Sequence, residues 1–176
     1  NIYRVTLDLY RGNEYLMTDC EMYAPAGQTL KARMPEVVDY VRMMNVDDRQ
    51  VKIGDKYFLD EQSYFADPSA LKIFTYKSIF GSLENALTKP FEAVITESAA
   101  KRYFGQVDAR NKLMEIEGRE YHVVAVIEDI PYNTHLKFNS LLSHASVAVI
   151  SQNRYSDENW STGNNEYMYL LMQPGT

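Results

Sequence analysis

The chain has 176 residues, of which 45% are hydrophobic and 24% are charged, and its net charge is −6. This length suits one large domain or two small subdomains, and the composition excludes a disordered chain. The acidic balance gives no electrostatic footprint for a nucleic-acid backbone, so nucleic acid is not expected as a partner. No apolar run reaches the roughly 20 residues that cross a bilayer. Because the sequence starts at Asn1, without a methionine, and is patterned at once, we expect an expressed fragment, and the composition leaves open a membrane link of the parent protein.

The first segment of the chain is predicted to be mostly extended. Residues 3–9 alternate apolar and polar side chains with the period of a half-buried strand, and turn residues follow at 11–13. Residues 28–34 favour a short helix that ends at Pro35, because proline lacks an N–H donor and disfavours helix in the residue before it. Residues 37–43 favour a second strand, although helix and strand patterns compete there.

A hairpin and a helix are predicted next. Residues 51–59 combine two short apolar runs with a Gly-Asp-Lys turn, which is typical of a hairpin. Asp67 and Pro68 predict the start of a helix that runs to about Phe74. The aspartate carboxylate would accept an orphan backbone N–H as the N-cap, and proline is well suited to the first helical position.

The middle of the chain predicts two more helices and a buried strand. Residues 82–87 favour a short helix with Ser82 as its N-cap. Residues 93–95 are typical of a buried strand, after which Thr96 should cap a helix over 97–104. Gly105 should end that helix in the left-handed conformation that glycine adopts cheaply.

The last elements are strands. Residues 113–116 and 121–127 flank a Glu-Gly-Arg turn and predict a second hairpin. Residues 167–172 are apolar on both faces and predict a strand in the centre of a sheet. Together these elements predict the α+β class, rich in strands and with short helices.

Signatures of catalysis and of cofactor binding are missing. The sequence has no phosphate-binding glycine loop and no Gly-x-Ser-x-Gly motif, so no catalytic residue and no cofactor is predicted. His122, His135 and His144 lack the spacing of metal ligands and are interpreted as scattered surface or hydrogen-bonding histidines. Cys20 is expected to be a small buried hydrophobic residue, and alone it cannot form an intramolecular disulfide.

Adjacent carboxylates occur at 47–48, 60–61 and 128–129. Neighbours on a strand point to opposite faces, so these pairs are interpreted as solvated charge. Asp129 is the exception, because it precedes Pro131 where a strand must end. It would either cap the turn or anchor a ligand, and the turn is favoured.

Several blocks of the sequence occur together in one order. They are residues 2–5 (IYRV), 66–69 (ADPS), 72–74 (KIF), Gly81 with 86–87 (AL), 95–105 (ITESAAKRYFG), 126–131 (VIEDIP), 133–135 (NTH) with Phe138, and Trp160 with 167–171 (YMYLL). In this order the blocks resemble the extracytoplasmic core domain of MacB/FtsX-like ABC transporter permeases, over nearly the whole chain.

Three departures from that family pattern affect local turns. Ala125 replaces a usual glycine, Asn139 replaces a common aspartate, and residues 108–112 (DARNK) replace a typical Asp-Pro-Ile-Gly-Lys turn. The family also tends to continue further, so a final helix and strand are expected beyond Thr176.

The resemblance implies a non-catalytic domain between the first and second transmembrane helices, on the outer side of the cytoplasmic membrane. It implies a porter-like α/β subdomain, here residues 1–47 and 140–176, with a smaller strand-rich subdomain, 48–139, inserted in it. A separate cytoplasmic ATPase subunit would drive movement through the helices to this domain, which would act on a substrate protein or periplasmic adaptor. A second permease copy is an expected partner.

The matched motif residues are given structural roles at helix ends and in one turn. They are Asp67, Pro68, Gly105, Asp129, Pro131, Asn133 and His135. Two alternatives stay open: a free-standing extracytoplasmic module that binds a small ligand or a glycan through the 14 tyrosines, and a small hydrolase with a dispersed site. Relatives serve drug or peptide export, lipoprotein release and control of cell-wall hydrolases, and the sequence does not choose among these.

Overall fold

A computed structural model describes most of the chain. The described residues are 1–46, 49–60, 62–152, 156, 158–160 and 166–175. The helices are α1 (Ala26–Arg33), α2 (Ser69–Ile73), α3 (Glu97–Phe104) and α4 (Ala145–Ile150). The strands are β1 (Ile2–Arg4), β2 (Leu7–Arg11), β3 (Glu14–Asp19), β4 (Glu21–Met22), β5 (Val37–Val46), β6 (Arg49–Ile53), β7 (Lys56–Asp60), β8 (Ser63–Ala66), β9 (Ser78–Phe80), β10 (Glu92–Thr96), β11 (Leu113–Ile116), β12 (Arg119–Ile127), β13 (Ser140–Ser143) and β14 (Glu166–Met172). The structure is 17% helical and 44% strand, which confirms the α+β class.

One mixed sheet forms the frame of the molecule. Its strand order is β1-β14-β5-β8-β13-β10-β12-β11-β6-β7, while β4 also pairs with β14 and β9 with β12. The β10–β12 and β13–β8 pairs are parallel, and the other pairs are antiparallel. Strands β2 and β3 form a separate hairpin.

The sheet is buried on both faces near its middle. Val94 packs into one hydrophobic cluster, whereas its neighbours Ala93 and Ile95 pack into the other. Leu141 and Leu142 divide between the two clusters in the same way. Because successive side chains of a strand point to opposite faces, this division shows that each face carries its own core.

Helix α3 confirms the most detailed local prediction. The backbone N–H of Ala99 donates to Thr96 Oγ1 at 3.2 Å, so Thr96 is the N-cap. Gly105 ends the helix at φ +71°. Ala100 and Tyr103 are buried, and they pack the helix into the same hydrophobic cluster as Ala93 and Ile95.

Other predicted elements are also confirmed. The first helix starts two residues earlier than predicted and ends at Arg33, with Met34 extended before Pro35. Both hairpins form, as β6–β7 and β11–β12. Strand β14, predicted to be central, is an interior strand that lies second from the edge, because it pairs with β5 on one side and with β1 on the other.

Two predicted elements are wrong in part. Residues 3–9 do not form one strand, because β1 pairs with β14 whereas β2 leaves the main sheet to pair with β3. Residues 82–87 form turns instead of a helix. There the N–H of Glu84 donates to Ser82 Oγ at 3.3 Å, and Leu87 is fully buried with φ +65°. The positive φ of the buried Leu87 is incompatible with a right-handed helix at this residue.

The departures from the family pattern are accommodated locally. Asn111 adopts φ +61° at the position where the family turn has glycine, a conformation that asparagine tolerates better than most residues. Arg110 forms an ion pair with Asp108 at 2.7 Å in the same turn. Ala125 is fully buried against the Gly81 backbone.

The sheet runs through both segments of the predicted two-part division. Strand β8, from the segment 48–139, lies between β5 and β13 of the other segment. The division itself stays a prediction. Residues 47–48 and 61, which carry two of the carboxylate pairs, lie outside the described residues. No helix in the described part of the chain is long and apolar enough to cross a membrane.

Candidate functional site

A cleft of about 580 Å³ lies where β1 and β14, which are neighbours in the sheet, meet two loops. Strands β1 and β14 form one side. The segment after α2 (74–77) and the segment after β12 (128–136) form the other. The second of these loops carries the motif residues Asp129, Pro131 and His135, so three of the predicted site residues line the cleft.

The floor of the cleft is aromatic. The Phe74 ring packs edge-on against Tyr169, with centroids 5.3 Å apart, and also contacts Tyr76 at 6.0 Å. Tyr76 in turn packs edge-on against Phe138 at 5.4 Å. Edge-to-face pairs of this kind hold ring positions beyond what area burial alone provides. The floor is therefore a fixed apolar surface.

The polar end of the cleft is a short hydrogen-bonded chain. His135 Nε2 lies 2.9 Å from the Tyr169 hydroxyl, and Arg4 also hydrogen-bonds Tyr169. Burial raises the pKa of Tyr169 to about 12, although the nearby Arg4 charge opposes the rise. The phenol is therefore protonated at neutral pH. A second cavity of about 180 Å³ shares Arg4, His135, Leu136 and Tyr169 with the cleft.

Asp129 has a different partner from the predicted one. Its carboxylate accepts the backbone N–H of Ser98 at 2.8 Å and the Ser98 hydroxyl at 2.5 Å, in the first turn of α3. A carboxylate is stable there because helix N-terminal N–H groups lack partners within the helix. The expected turn does form, with the N–H of Thr134 donating to the Pro131 carbonyl at 3.3 Å. Asn133 is exposed in this turn.

A second polar cluster is buried away from the cleft. The Arg42 guanidinium donates to both carboxylate oxygens of Asp67 at 2.9 Å, and the Arg42 backbone N–H donates at the same distance. His144 Nε2 lies 3.0 Å from the Glu166 carboxylate, and its Nδ1 lies 3.9 Å from Asp67. These four side chains, which we call the ion network, come from β5, the β8–α2 junction, the β13–α4 junction and β14.

The predicted N-cap role of Asp67 is wrong. Helix α2 begins at Ser69 after Pro68 and has no side-chain cap, because Arg42 occupies the Asp67 carboxylate. Burial would raise the pKa of this carboxyl, but the Arg42 hydrogen bonds, with the charges of His144 and Arg42, hold it below its usual value. Asp67 is therefore a buried anion that joins segments.

The remaining predicted residues lie apart from these two sites. Pro68 lines a cavity of about 290 Å³ beside the ion network, and Gly105 ends α3. His122 is exposed. Cys20, predicted to be a small buried hydrophobic residue, is only partly buried. No cluster of three metal-ligating side chains occurs among the residues that the structure describes.

The sequence prediction missed four residues of these sites: Arg4, Tyr169, Arg42 and Glu166. A usable signal existed for two of them. Arg42 stands between apolar residues of β5, and Glu166 begins an apolar strand, where a buried charge needs an opposite partner. Arg4 and Tyr169 lie in the matched blocks 2–5 and 167–171, but each also fits an ordinary strand pattern, so nothing local assigned either of them to a site.

Comparisons with known proteins agree with this fold. The family model for the MacB-like periplasmic core domain matches residues 1–176. A domain assigned to a permease protein of Porphyromonas gingivalis has a similar structure, with TM-score 0.78 and 21% identity over 94% of this chain and 69% of that chain.

Two further solved structures are similar. The periplasmic region of MacB from Actinobacillus actinomycetemcomitans gives TM-score 0.65 and 12% identity over 89% of this chain and 67% of that one. The extracellular domain of the noncanonic ABC-type transporter YknZ from Gram-positive bacteria gives TM-score 0.69 and 12% identity over 99% of this chain and 85% of that one. No curated protein sequence matches the chain significantly.

The chain belongs to the MacB-like periplasmic core domain family. The family and the fold neighbours indicate a periplasmic domain of a MacB-like ABC transporter permease, and the domain is extracytoplasmic. The resemblance deduced from the ordered motifs is thereby confirmed. The homologues are permease domains and not catalytic enzymes.

Proposed function

We propose that this domain is a non-catalytic part of an ABC transporter permease that transmits ATP-driven movement to a substrate or partner protein outside the cytoplasmic membrane. The observation that carries the proposal is the pairing of β1 with β14. Ile2 lies opposite Leu171, and the N–H of Met172 donates to the Asn1 carbonyl at 2.8 Å. The strands β1 and β14 therefore lie side by side, an arrangement that suits a domain joined to two neighbouring membrane helices.

The interior supports transmission of force. One sheet connects β1 and β14 at one edge with β7 at the other. The ion network ties β5 and β14 to the starts of α2 and α4. Movement imposed at the β1–β14 edge would therefore reach distant strands as a displacement of the whole body, because packed interiors deform little.

The partners follow from this role. A cytoplasmic ATPase subunit would act through transmembrane helices in the inner membrane, and a second permease copy would complete the transporter. A periplasmic adaptor or substrate protein would contact the outer surface. The two-part division into residues 1–47 with 140–176, and 48–139, would give the domain a body near the membrane and a second part that moves with it.

Labelling from outside the cell tests the placement. In a Cys20→Ser background, Tyr132→Cys puts a thiol at a site that is 90% exposed, and a membrane-impermeant maleimide should label the full-length protein in cells with an intact cytoplasmic membrane. Ala93→Cys is the matched control, because Ala93 is fully buried and should react only after denaturation. Labelling of Tyr132→Cys only after the cytoplasmic membrane is opened would contradict the proposal.

The cleft favours a second candidate function, a free-standing module that binds a small ligand. The two functions differ in membrane attachment. If the domain is part of a permease, the full-length protein should stay in the membrane fraction after an alkaline wash, whereas a free-standing module would be released.

A further inference from the structure

We propose that the cleft is a binding site for a small organic acid, with the carboxylate at Arg4 and His135 and the apolar body on the aromatic floor. This site goes beyond the transmission of movement and does not depend on it. The inference rests on the charged side chains of the cleft, on the hydrogen-bonding groups beside Arg4 and on the volume and apolar lining of the cleft.

Two basic side chains line the cleft, Arg4 and Lys77, and of these only Lys77 has a carboxylate within ion-pair distance among the described residues. Lys77 lies 3.7 Å from Glu128, and Asp129 is held by Ser98 at the start of α3. Arg4 has no carboxylate partner among the described residues, and it contacts the neutral Tyr169 hydroxyl. An exposed guanidinium that lines a largely apolar cleft can bind a carboxylate through parallel N–H bonds.

A histidine adds a second polar group beside Arg4. Arginine can only donate, so the Tyr169 oxygen accepts from Arg4. His135 Nε2 lies 2.9 Å from the same hydroxyl, and either atom of that pair can be the donor. Arg4 and His135 line the same cleft, so the guanidinium N–H groups and the imidazole together suit an acceptor-only group such as a carboxylate.

The remaining surface selects the rest of the ligand. Phe74, Tyr76 and Tyr169 form the floor, and Ile130 and Leu136 lie on the loop side. A volume of about 580 Å³ lies within the usual range for small-molecule pockets, which combine apolar walls with a few directed polar groups. A medium-chain fatty acid or an aryl-substituted acid has this chemistry.

Titration of the 176-residue chain with matched probes tests the site. The probes are decanoate, 4-phenylbutyrate and decyltrimethylammonium, which keeps the alkyl tail but reverses the charge. We expect saturable one-to-one binding of a carboxylate by calorimetry, with amide chemical-shift changes confined to the cleft segments. Whichever of the two acids binds more tightly shows whether the site prefers an aliphatic or an aromatic apolar group. Decyltrimethylammonium should bind at least tenfold more weakly than the better acid.

Two substitutions separate a specific site from general electrostatics. Arg4→Gln removes the charge but keeps a donor for Tyr169, and we expect it to weaken carboxylate binding about tenfold, the loss of one charge-assisted contact. Arg11→Gln changes the net charge equally on the exposed β2–β3 hairpin and should leave binding unchanged. Unchanged thermal unfolding midpoints of both variants would show that the fold persists.

Three results would overturn the proposal. They are no saturable binding of either acid, equal binding of decanoate and decyltrimethylammonium, and equal affinity of the Arg4→Gln and Arg11→Gln variants. None of them bears on the transporter role, because the titration involves neither the membrane nor the ATPase.

Discussion

Gly81 lies between β9 and the backbone of β12, where no side chain fits. Its φ is +84°, and a Cβ atom built there would lie 2.4 Å from the Val124 carbonyl oxygen and 2.9 Å from Ala125 Cα. Both contacts are with backbone in the interior of the sheet, so the neighbours cannot turn aside. Glycine at this family motif position is therefore required by the close approach of two chain segments.

Replacement of Gly81 by alanine should be far more damaging than the same change at another positive-φ glycine. Gly12 has φ +62° with nothing within 4 Å of a built Cβ, so Gly12→Ala should cost only the conformational penalty of about 1 kcal/mol. Gly81→Ala adds the backbone clash and should lower the free energy of unfolding by more than about 2 kcal/mol. Urea unfolding of the two variants measures the difference, and equal losses would contradict this account.

Thr96 offers a test of a cap that was predicted from local sequence. Thr96→Val keeps the shape of the side chain but removes the hydroxyl that accepts the N–H of Ala99, so the free energy of unfolding should fall by about 1 kcal/mol. Thr6→Val makes the same chemical change at an exposed position and should have little effect. A loss at Thr6 as large as that at Thr96 would show that the cap is not the cause.

Whether a residue's role could be predicted depended on the distance along the chain to its partner. Thr96 and Gly105 act on neighbours within a few residues, so capping rules predicted both. Asp67 satisfies the same capping rule, yet its carboxylate binds Arg42, 25 residues earlier. Asp129 likewise binds Ser98, 31 residues away. A capping rule considers only local N–H groups and cannot weigh a buried arginine that needs an anion.

At the scale of elements, the ion network joins segments that the sequence keeps apart. Arg42 and Asp67 are both largely buried, as are His144 and Glu166. Burying charges costs solvation free energy, so the network need not stabilise the fold more than apolar packing would. Removing one member is different, because it leaves a buried opposite charge without compensation.

Asp67→Asn should therefore be strongly destabilising at neutral pH. The substitution leaves the Arg42 guanidinium buried beside a neutral amide, and we expect a loss of at least about 3 kcal/mol in the free energy of unfolding. Asp108→Asn breaks an exposed pair with Arg110 and should change stability much less. Losses of similar size for the two variants would contradict the role of the network.

The same pair predicts a pH dependence. The pKa of Asp67 in the folded protein lies below its unfolded value of about 3.9, so folding favours the charged form. The stabilisation is complete above the unfolded pKa and is lost as the pH falls through the lower folded pKa. The stability difference between wild type and Asp67→Asn should shrink as the pH falls below about 4, where the Asp67 carboxylate of the wild type is protonated. A difference that grows below about pH 4 would contradict this sign.

Strand pairing shows a similar limit of prediction. The hairpins β6–β7 and β11–β12 join neighbours in sequence, and their glycine turns made them predictable. The parallel pairing of β8 with β13 joins segments about 77 residues apart and has no local signal. The residue pattern therefore predicted most elements, whereas the single sheet that contains them followed only from the structure.

At the scale of the whole molecule, the ordered motifs carried more information than composition did. Composition argued against nucleic-acid binding and against disorder but left the function open. The blocks at 66–69, 95–105 and 126–131 indicated the family, and the family model confirms it. The cleft was only partly predictable. Asp129, Pro131 and His135 were predicted as motif residues, whereas Arg4 and Tyr169, although they lie in matched blocks, meet only because β1 pairs with β14.

The most direct test of force transmission is the position of this domain above the bilayer during ATP hydrolysis. A fluorophore on Tyr132→Cys, in the Cys20→Ser background, reports energy transfer to acceptor lipids when the complete transporter is reconstituted in liposomes. We predict that ATP changes the transfer efficiency. With an ATPase subunit that binds but does not hydrolyse ATP, the transfer efficiency should not return to its value before ATP was added. The same transfer efficiency with and without ATP, while hydrolysis proceeds, would contradict the account.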